Sequence, residues 1–96
     1  MYIQNFEEYI ICSIGEKKIP SQKHIIHDLN ITKDELDSLC LNFPLIKSMW
    51  KLTDREKVVF FELVNQEQKE ILDLERLHYL VAQAQIKSAI RQLNDS

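Results

Sequence analysis

The chain has few glycines and prolines, which interrupt helices, and few cysteines, which form disulfides or bind metals. Its 96 residues include one glycine, Gly15, and two prolines, which excludes glycine-rich phosphate loops and disfavours a sheet with many tight turns. The two cysteines lie far apart in the sequence, whereas structural zinc sites usually take their cysteines from close pairs. We therefore expect no metal site, and we interpret Cys12 and Cys40 as buried, reduced thiols.

Long apolar runs and a strong excess of one charge are also missing. No apolar stretch approaches the roughly 20 residues that span a bilayer, and the N-terminal segment, which Glu7 and Glu8 interrupt, makes a poor signal peptide. These features favour a cytoplasmic protein without a membrane partner. The net charge of −3, from 12 basic and 15 acidic residues, argues mildly against a dedicated nucleic-acid coat.

Helical spacing of apolar residues is present throughout the chain, and no segment shows the alternation of a strand. We predict an all-α fold of four to five helices in a single domain, 1–96. The last segment, which has no breaker, is either a separate helix or a continuation of the one before it. The expected helices cover about 3–14 with Gly15 as the stop, a second between Ser21 and Asn30, a third after Thr32, a fourth after Thr53, and a long one over about 66–94.

Residues 22–39 have the spacing of two short helices that meet at a tight corner. Asn30 tolerates the left-handed conformation of a sharp turn, and Thr32 with Glu35 forms a capping box at the start of the next helix. The stretch resembles the helix-turn-helix superfamily, with Gln22 at the opening position and apolar Ile25, Leu29, Ile31, Leu36 and Leu39 in the pattern. One departure is Ile26, which stands where that pattern has a small residue. The alternative is an ordinary αα-hairpin with a capped second helix.

The resemblance implies that the exposed side of the third helix enters the major groove of DNA. Residues 33–38 hold one basic and three acidic residues, a net charge of −2, and each acid repels nearby phosphates. The flanking lysines can instead hold phosphates without reading sequence, with Trp50 as either a stacking residue or a core anchor. The expected DNA-binding residues are Lys17, Lys18, Lys23, Lys33, Asp34, Asp37, Ser38, Lys47 and Lys51.

The last helix has a wider apolar surface than one small domain needs to cover it. We predict that 1–52 is the helix-turn-helix-like part and that 53–96 forms a homodimer or higher oligomer. The alternative is a central core helix of a monomer. The expected interface residues are Ile71, Leu74, Leu77, Val81, Ile86, Ile90 and Leu93.

These features favour a small DNA-binding transcriptional regulator that dimerises through its C-terminal helices. No nucleophile stands beside a placed base, so we expect neither an enzyme nor a cofactor. The alternative is an acidic adaptor or inhibitor, of the kind that phages and plasmids encode, which docks its third helix on a basic protein surface. Its partner would then be a protein and not double-stranded DNA.

Overall fold

Capping side chains set four of the six α-helix starts in the computed structural model, which describes residues 3–95. The Ser21 hydroxyl accepts the N–H of His24 at the start of the second helix. The predicted capping box of Thr32 with Glu35 is formed, and Thr53 with Glu56 forms a second one. The helices are α1 (Ile3–Gly15), α2 (Gln22–Leu29), α3 (Lys33–Asn42), α4 (Leu45–Trp50), α5 (Asp54–Asn65) and α6 (Leu74–Asp95).

The described residues contain no strand, so the predicted all-α fold with a long C-terminal helix is confirmed. One helix was not predicted: Pro44 ends α3 but also begins α4, because its φ of −57° suits the first turn of a helix. The segment after α5 forms a short 3-10 turn, Lys69–Ile71, before α6 begins. The last helix is therefore separate from α5, and Asp73 starts it by accepting the N–H of Arg76 at 2.7 Å.

The core lies where α6 packs against α5, α4 and α1. Apolar side chains from all four helices are buried there, among them Phe6, Ile10, Ile46, Met49, Phe60, Leu77 and Val81. Ile25 and Leu36 extend this core under the α2–α3 corner. Across residues 3–95, no helix is long and apolar enough to cross a membrane.

Two expectations about single residues need correction. Cys12 lies on the exposed side of α1, whereas Cys40 is buried as predicted. Gly15 does end α1, but the left-handed residue after it is Lys17, with φ of 62°. The Lys17 N–H donates to the Ile14 carbonyl at 2.9 Å, so the turn closes on the helix end without using the conformational freedom of the glycine.

Candidate nucleic-acid interface

The turn between α2 and α3 is held by a left-handed residue and a buried apolar one. Asn30 has φ of 54° and ψ of 50°, and its N–H donates to the carbonyls of His27 and Ile26. The next residue, Ile31, is buried and donates its N–H to Ile26 at 3.2 Å. Ile26, the bulky departure from the helix-turn-helix pattern, is only partly buried, so it lies at the edge of the core and not at its centre.

A hydrogen bond between side chains fixes α2 against α1. The Tyr9 hydroxyl donates to Asp28 Oδ2 at 2.7 Å, and His27 Nδ1 lies 3.2 Å from the other carboxylate oxygen. Burial, and then this contact with Asp28, raise the pKa of Tyr9 to about 12. The hydrogen bond from Tyr9, and then that from His27, lower the pKa of Asp28. The carboxylate is thus held in its charged form beside the start of the corner.

The outer face of α3 is acidic and open. Lys33, Asp34, Asp37 and Ser38 are all exposed. No cation among residues 3–95 forms an ion pair with Asp34 or Asp37. Both carboxylates therefore present their charge to solvent on this face.

Sequence reasoning missed the most exposed apolar residue of α3. Leu41 is 79% exposed, and it follows Asp34 and Ser38 at seven and three residues, which is spacing that places all three on one side of a helix. The signal was present in this spacing, because the buried residues of α3, Leu36, Leu39 and Cys40, occupy the other side. An apolar side chain thus borders the acidic face.

The five flanking lysines are exposed as well. They are Lys17, Lys18, Lys23, Lys47 and Lys51. Within the described part of the chain, none of the five takes part in an ion pair. Burial raises the pKa of the Cys40 thiol, Lys47 opposes that shift and Asp37 adds to it. Lys47 of α4 and Asp37 of α3 are thus both within electrostatic reach of the same buried thiol.

Trp50 joins the two segments that hold four of these lysines, while Lys23 lies in the first turn of α2. Its indole Nε1–H donates to the Pro20 carbonyl at 2.8 Å, so the end of α4 is tied to the linker between α1 and α2. Lys51 follows Trp50 in the chain, and Lys18 precedes Pro20 by two residues. The indole is partly buried and its N–H is occupied, so Trp50 acts as an anchor of the fold.

The residues predicted for the oligomer interface fall into two groups. Leu74, Leu77 and Val81 are buried inside the monomer, so that part of the prediction is corrected: these three side chains pack in the core formed with α1, α4 and α5. Ile71, Ile86, Ile90 and Leu93 are exposed, each by at least half of its surface. Only this second group can meet a partner without opening the core.

The corner presents charged side chains to solvent. Among residues 3–95, no three His, Cys, Asp or Glu side chains come together as metal ligands, and His24 and His27 lie exposed on α2. Exposed lysines without ion pairs lie before and after α3 in the chain, and the outer face of α3 is acidic. Comparison of the chain with protein-family models, curated proteins and solved structures finds no match.

Proposed function

We propose that α2 and α3 form a helix-turn-helix that holds double-stranded DNA mainly through its phosphates, and that the protein is a small transcriptional regulator. The observation that carries this proposal is a set of five exposed lysines without ion pairs. Four of them lie in the two segments that the Trp50–Pro20 hydrogen bond joins, and Lys23 lies in the first turn of α2. Phosphate contacts of this kind position a protein on a duplex but carry no sequence information.

The acidic face of α3 limits what the corner can read. Asp34 and Asp37 can accept hydrogen bonds from cytosine amino groups, yet both lie among phosphates when the helix enters the groove. We therefore expect modest affinity that depends steeply on salt. Each phosphate contact lowers log K by about 0.9 for every tenfold rise in salt concentration. Five contacts therefore predict that the binding constant falls about 500-fold between roughly 50 and 200 mM salt.

The test is fluorescence anisotropy on a mixed-sequence duplex at low and high salt. Lys47→Ala with Lys51→Ala removes two of the proposed phosphate contacts, so the salt slope should fall by about two units. The matched control is Lys69→Ala with Lys87→Ala. This control also removes two positive charges, from two exposed lysines that lie in the 3-10 turn Lys69–Ile71 and in α6. Equal loss in both double variants would show that only net charge matters and would contradict a site at the corner.

A different observation favours a second function. Asp34 and Asp37, which form no ion pair in the described part of the chain, lie on the same side of α3 as the exposed Leu41. Charged and apolar groups side by side are what a basic protein surface with a small apolar pocket would bind, and a buried apolar anchor commonly dominates such interfaces. In this alternative the protein is an adaptor or inhibitor that occupies a partner's basic surface.

One pair of substitutions separates the two functions by the sign of its effect. Asp34→Asn with Asp37→Asn removes two negative charges from α3. If α3 faces DNA, the affinity for the duplex rises, because phosphate repulsion is lost. If α3 faces a basic protein, the wild type does not bind the duplex even at low salt. The Asp34→Asn, Asp37→Asn variant then fails to bind a purified basic partner that the wild type and a Lys69→Ala variant both bind.

A further inference from the structure

Helix α6 has apolar residues on two opposite sides. Leu77, Val81 and Ala84 face the core and are fully buried. At 100° per residue, a second row lies about 170° around the helix axis from the first. This second row, the outer stripe, faces solvent and consists of Tyr79, Ala82, Ile86, Ala89, Ile90 and Leu93.

The outer stripe has the spacing of a helix–helix seam. Its members follow one another at steps of three and four residues, from Tyr79 to Ala82, Ile86, Ala89 and Leu93, as in the repeat that packs two helices together. A surface helix of a globular protein normally has polar residues on the side away from the core. Here that side is apolar over most of the length of a 22-residue helix.

From the outer stripe and its surroundings we infer that α6 is a self-association surface whose occupant is a second copy of this chain, packed antiparallel. Charge is the first argument for that occupant. Between Leu77 and Ile90 the only charged residue is Lys87. Arg76, which lies over the Tyr79 ring at 4.7 Å, is already bonded to Glu67, and Arg91 is bonded to Glu62 at 3.1 Å. A strongly charged partner would find almost nothing to pair with, whereas the equally neutral stripe of a second copy matches it.

The area available is the second argument. The six side chains offer on the order of 500 Å² of apolar surface per copy, which is the larger part of the roughly 800 Å² per partner that a typical specific interface covers. The core-facing row lies on the opposite side of α6, so the body of each protomer does not obstruct the approach of a second α6.

The order of large and small residues selects the antiparallel arrangement. Pairing centred on residue 84 overlaps the whole of α6 with its copy. It places Tyr79 opposite Ala89 of the second copy and Ile86 opposite Ala82 of the second copy, so these two large side chains, in the middle of the seam, each meet a small one. This direction also sets each helix N-terminus beside a C-terminus, which the helix dipoles favour.

The inference does not rest on DNA binding, and it is tested without DNA by sedimentation velocity across a range of protein concentrations. The wild type should sediment at twice the 11.4 kDa chain mass. Ile86→Glu should weaken self-association by at least about 100-fold, because it places a charge in the centre of each seam. The control is Ile71→Glu, since Ile71 and Ile86 are both 53% exposed but Ile71 lies outside α6.

Thermal unfolding followed by circular dichroism checks that both variants keep their helices. We expect that they do, because the side chains of Ile71 and Ile86 are exposed. A wild type that stays monomeric up to about 200 µM, a concentration at which even a weak dimer is populated, would overturn the inference. So would a dimer that Ile86→Glu and Ile71→Glu leave equally intact. Either result would show that the outer stripe does not mediate self-association.

Cross-linking tests the direction of the pairing. In a Cys12→Ser background, a copy with Ala82→Cys is mixed with a copy with Ile86→Cys and oxidised. The antiparallel arrangement expects the mixed disulfide to dominate, because a disulfide needs Cα atoms about 5–6 Å apart. Preferential cross-linking of Ala82→Cys to itself would contradict the proposed register.

Discussion

Substitution of Asn30 measures whether the corner between α2 and α3 depends on one left-handed residue. Asn30 has φ of 54° and ψ of 50°, and no described hydrogen bond uses its side chain. A Cβ in this conformation costs roughly 1–2 kcal/mol in residues other than Gly, Asn and Asp. Asn30→Ala should therefore lower the free energy of unfolding by about 1 kcal/mol, which corresponds to a fall in Tm of about 4–8 °C for a domain of this size.

Asn30→Gly should behave differently, because glycine adopts the left-handed conformation freely. The gain is offset by the greater freedom of glycine in the unfolded chain, so we expect a change within about 0.5 kcal/mol of the wild type. The assay is urea unfolding at equilibrium, followed by circular dichroism in the helical region. The order of stability should be glycine close to asparagine, with alanine clearly lower.

The matched control is Gln66→Ala at the end of α5. Gln66 is also an exposed residue after a helix, but its φ of −85° is right-handed, so alanine should be tolerated there without loss. If Asn30→Ala proves as stable as the wild type while the control is also neutral, the residue is not left-handed in solution. The corner would then have another geometry, and the helix-turn-helix proposal would lose its structural basis.

Three further measurements probe the core, the thiols and the α1–α2 contact. Leu77→Ala should cost about 2–5 kcal/mol in urea unfolding, because Leu77 is fully buried, whereas Leu41→Ala at an exposed position should change stability by less than about 0.5 kcal/mol. A disulfide reagent should label Cys12 at once, and Cys40 only when the protein unfolds, since Cys40 is buried and burial raises its pKa; a Cys12→Ser variant that keeps the fast phase would contradict this assignment. Tyr9→Phe should raise the pKa of Asp28 toward its ordinary value in an NMR titration, because the hydrogen bond from Tyr9 is the main cause of the lowered pKa. The stability due to Asp28 is therefore present at neutral pH and lost as the pH falls through its lowered pKa, while that due to Tyr9 is present below pH about 10 and lost as the pH rises toward 12.

Local signals in the sequence predicted the local features of the fold. The caps at Ser21, Thr32 and Thr53 and the turn at Asn30 each depend on a side chain and its own neighbouring backbone, so the residue type alone was sufficient. The helical spacing of the apolar residues of α3 also predicted which of its residues are exposed, namely Lys33, Asp34, Asp37 and Ser38.

Features that depend on distant partners could not be predicted in this way. The bond from Trp50 to Pro20 joins residues 30 positions apart, and no local pattern distinguishes an indole that anchors a linker from one that stacks on a base. Cys12 illustrates the same limit: it lies among apolar residues in the sequence, yet it faces the exposed side of α1. Which face of a helix is covered is decided by the rest of the chain.

The two interpretations of the last helix illustrate this limit most fully, because each describes one side of it. Apolar content showed that α6 has more surface to bury than a single partner can cover, and both a monomer core and an oligomer were consistent with that surplus. The structure assigns Leu74, Leu77 and Val81 to the core and leaves Ile86, Ile90 and Leu93 outside it. Periodicity alone could not make this division, because the two rows have the same spacing and differ only in which one α1, α4 and α5 happen to cover. A substitution at Leu77 should therefore lower stability at any protein concentration, whereas one at Ile86 should act only where copies of the chain associate.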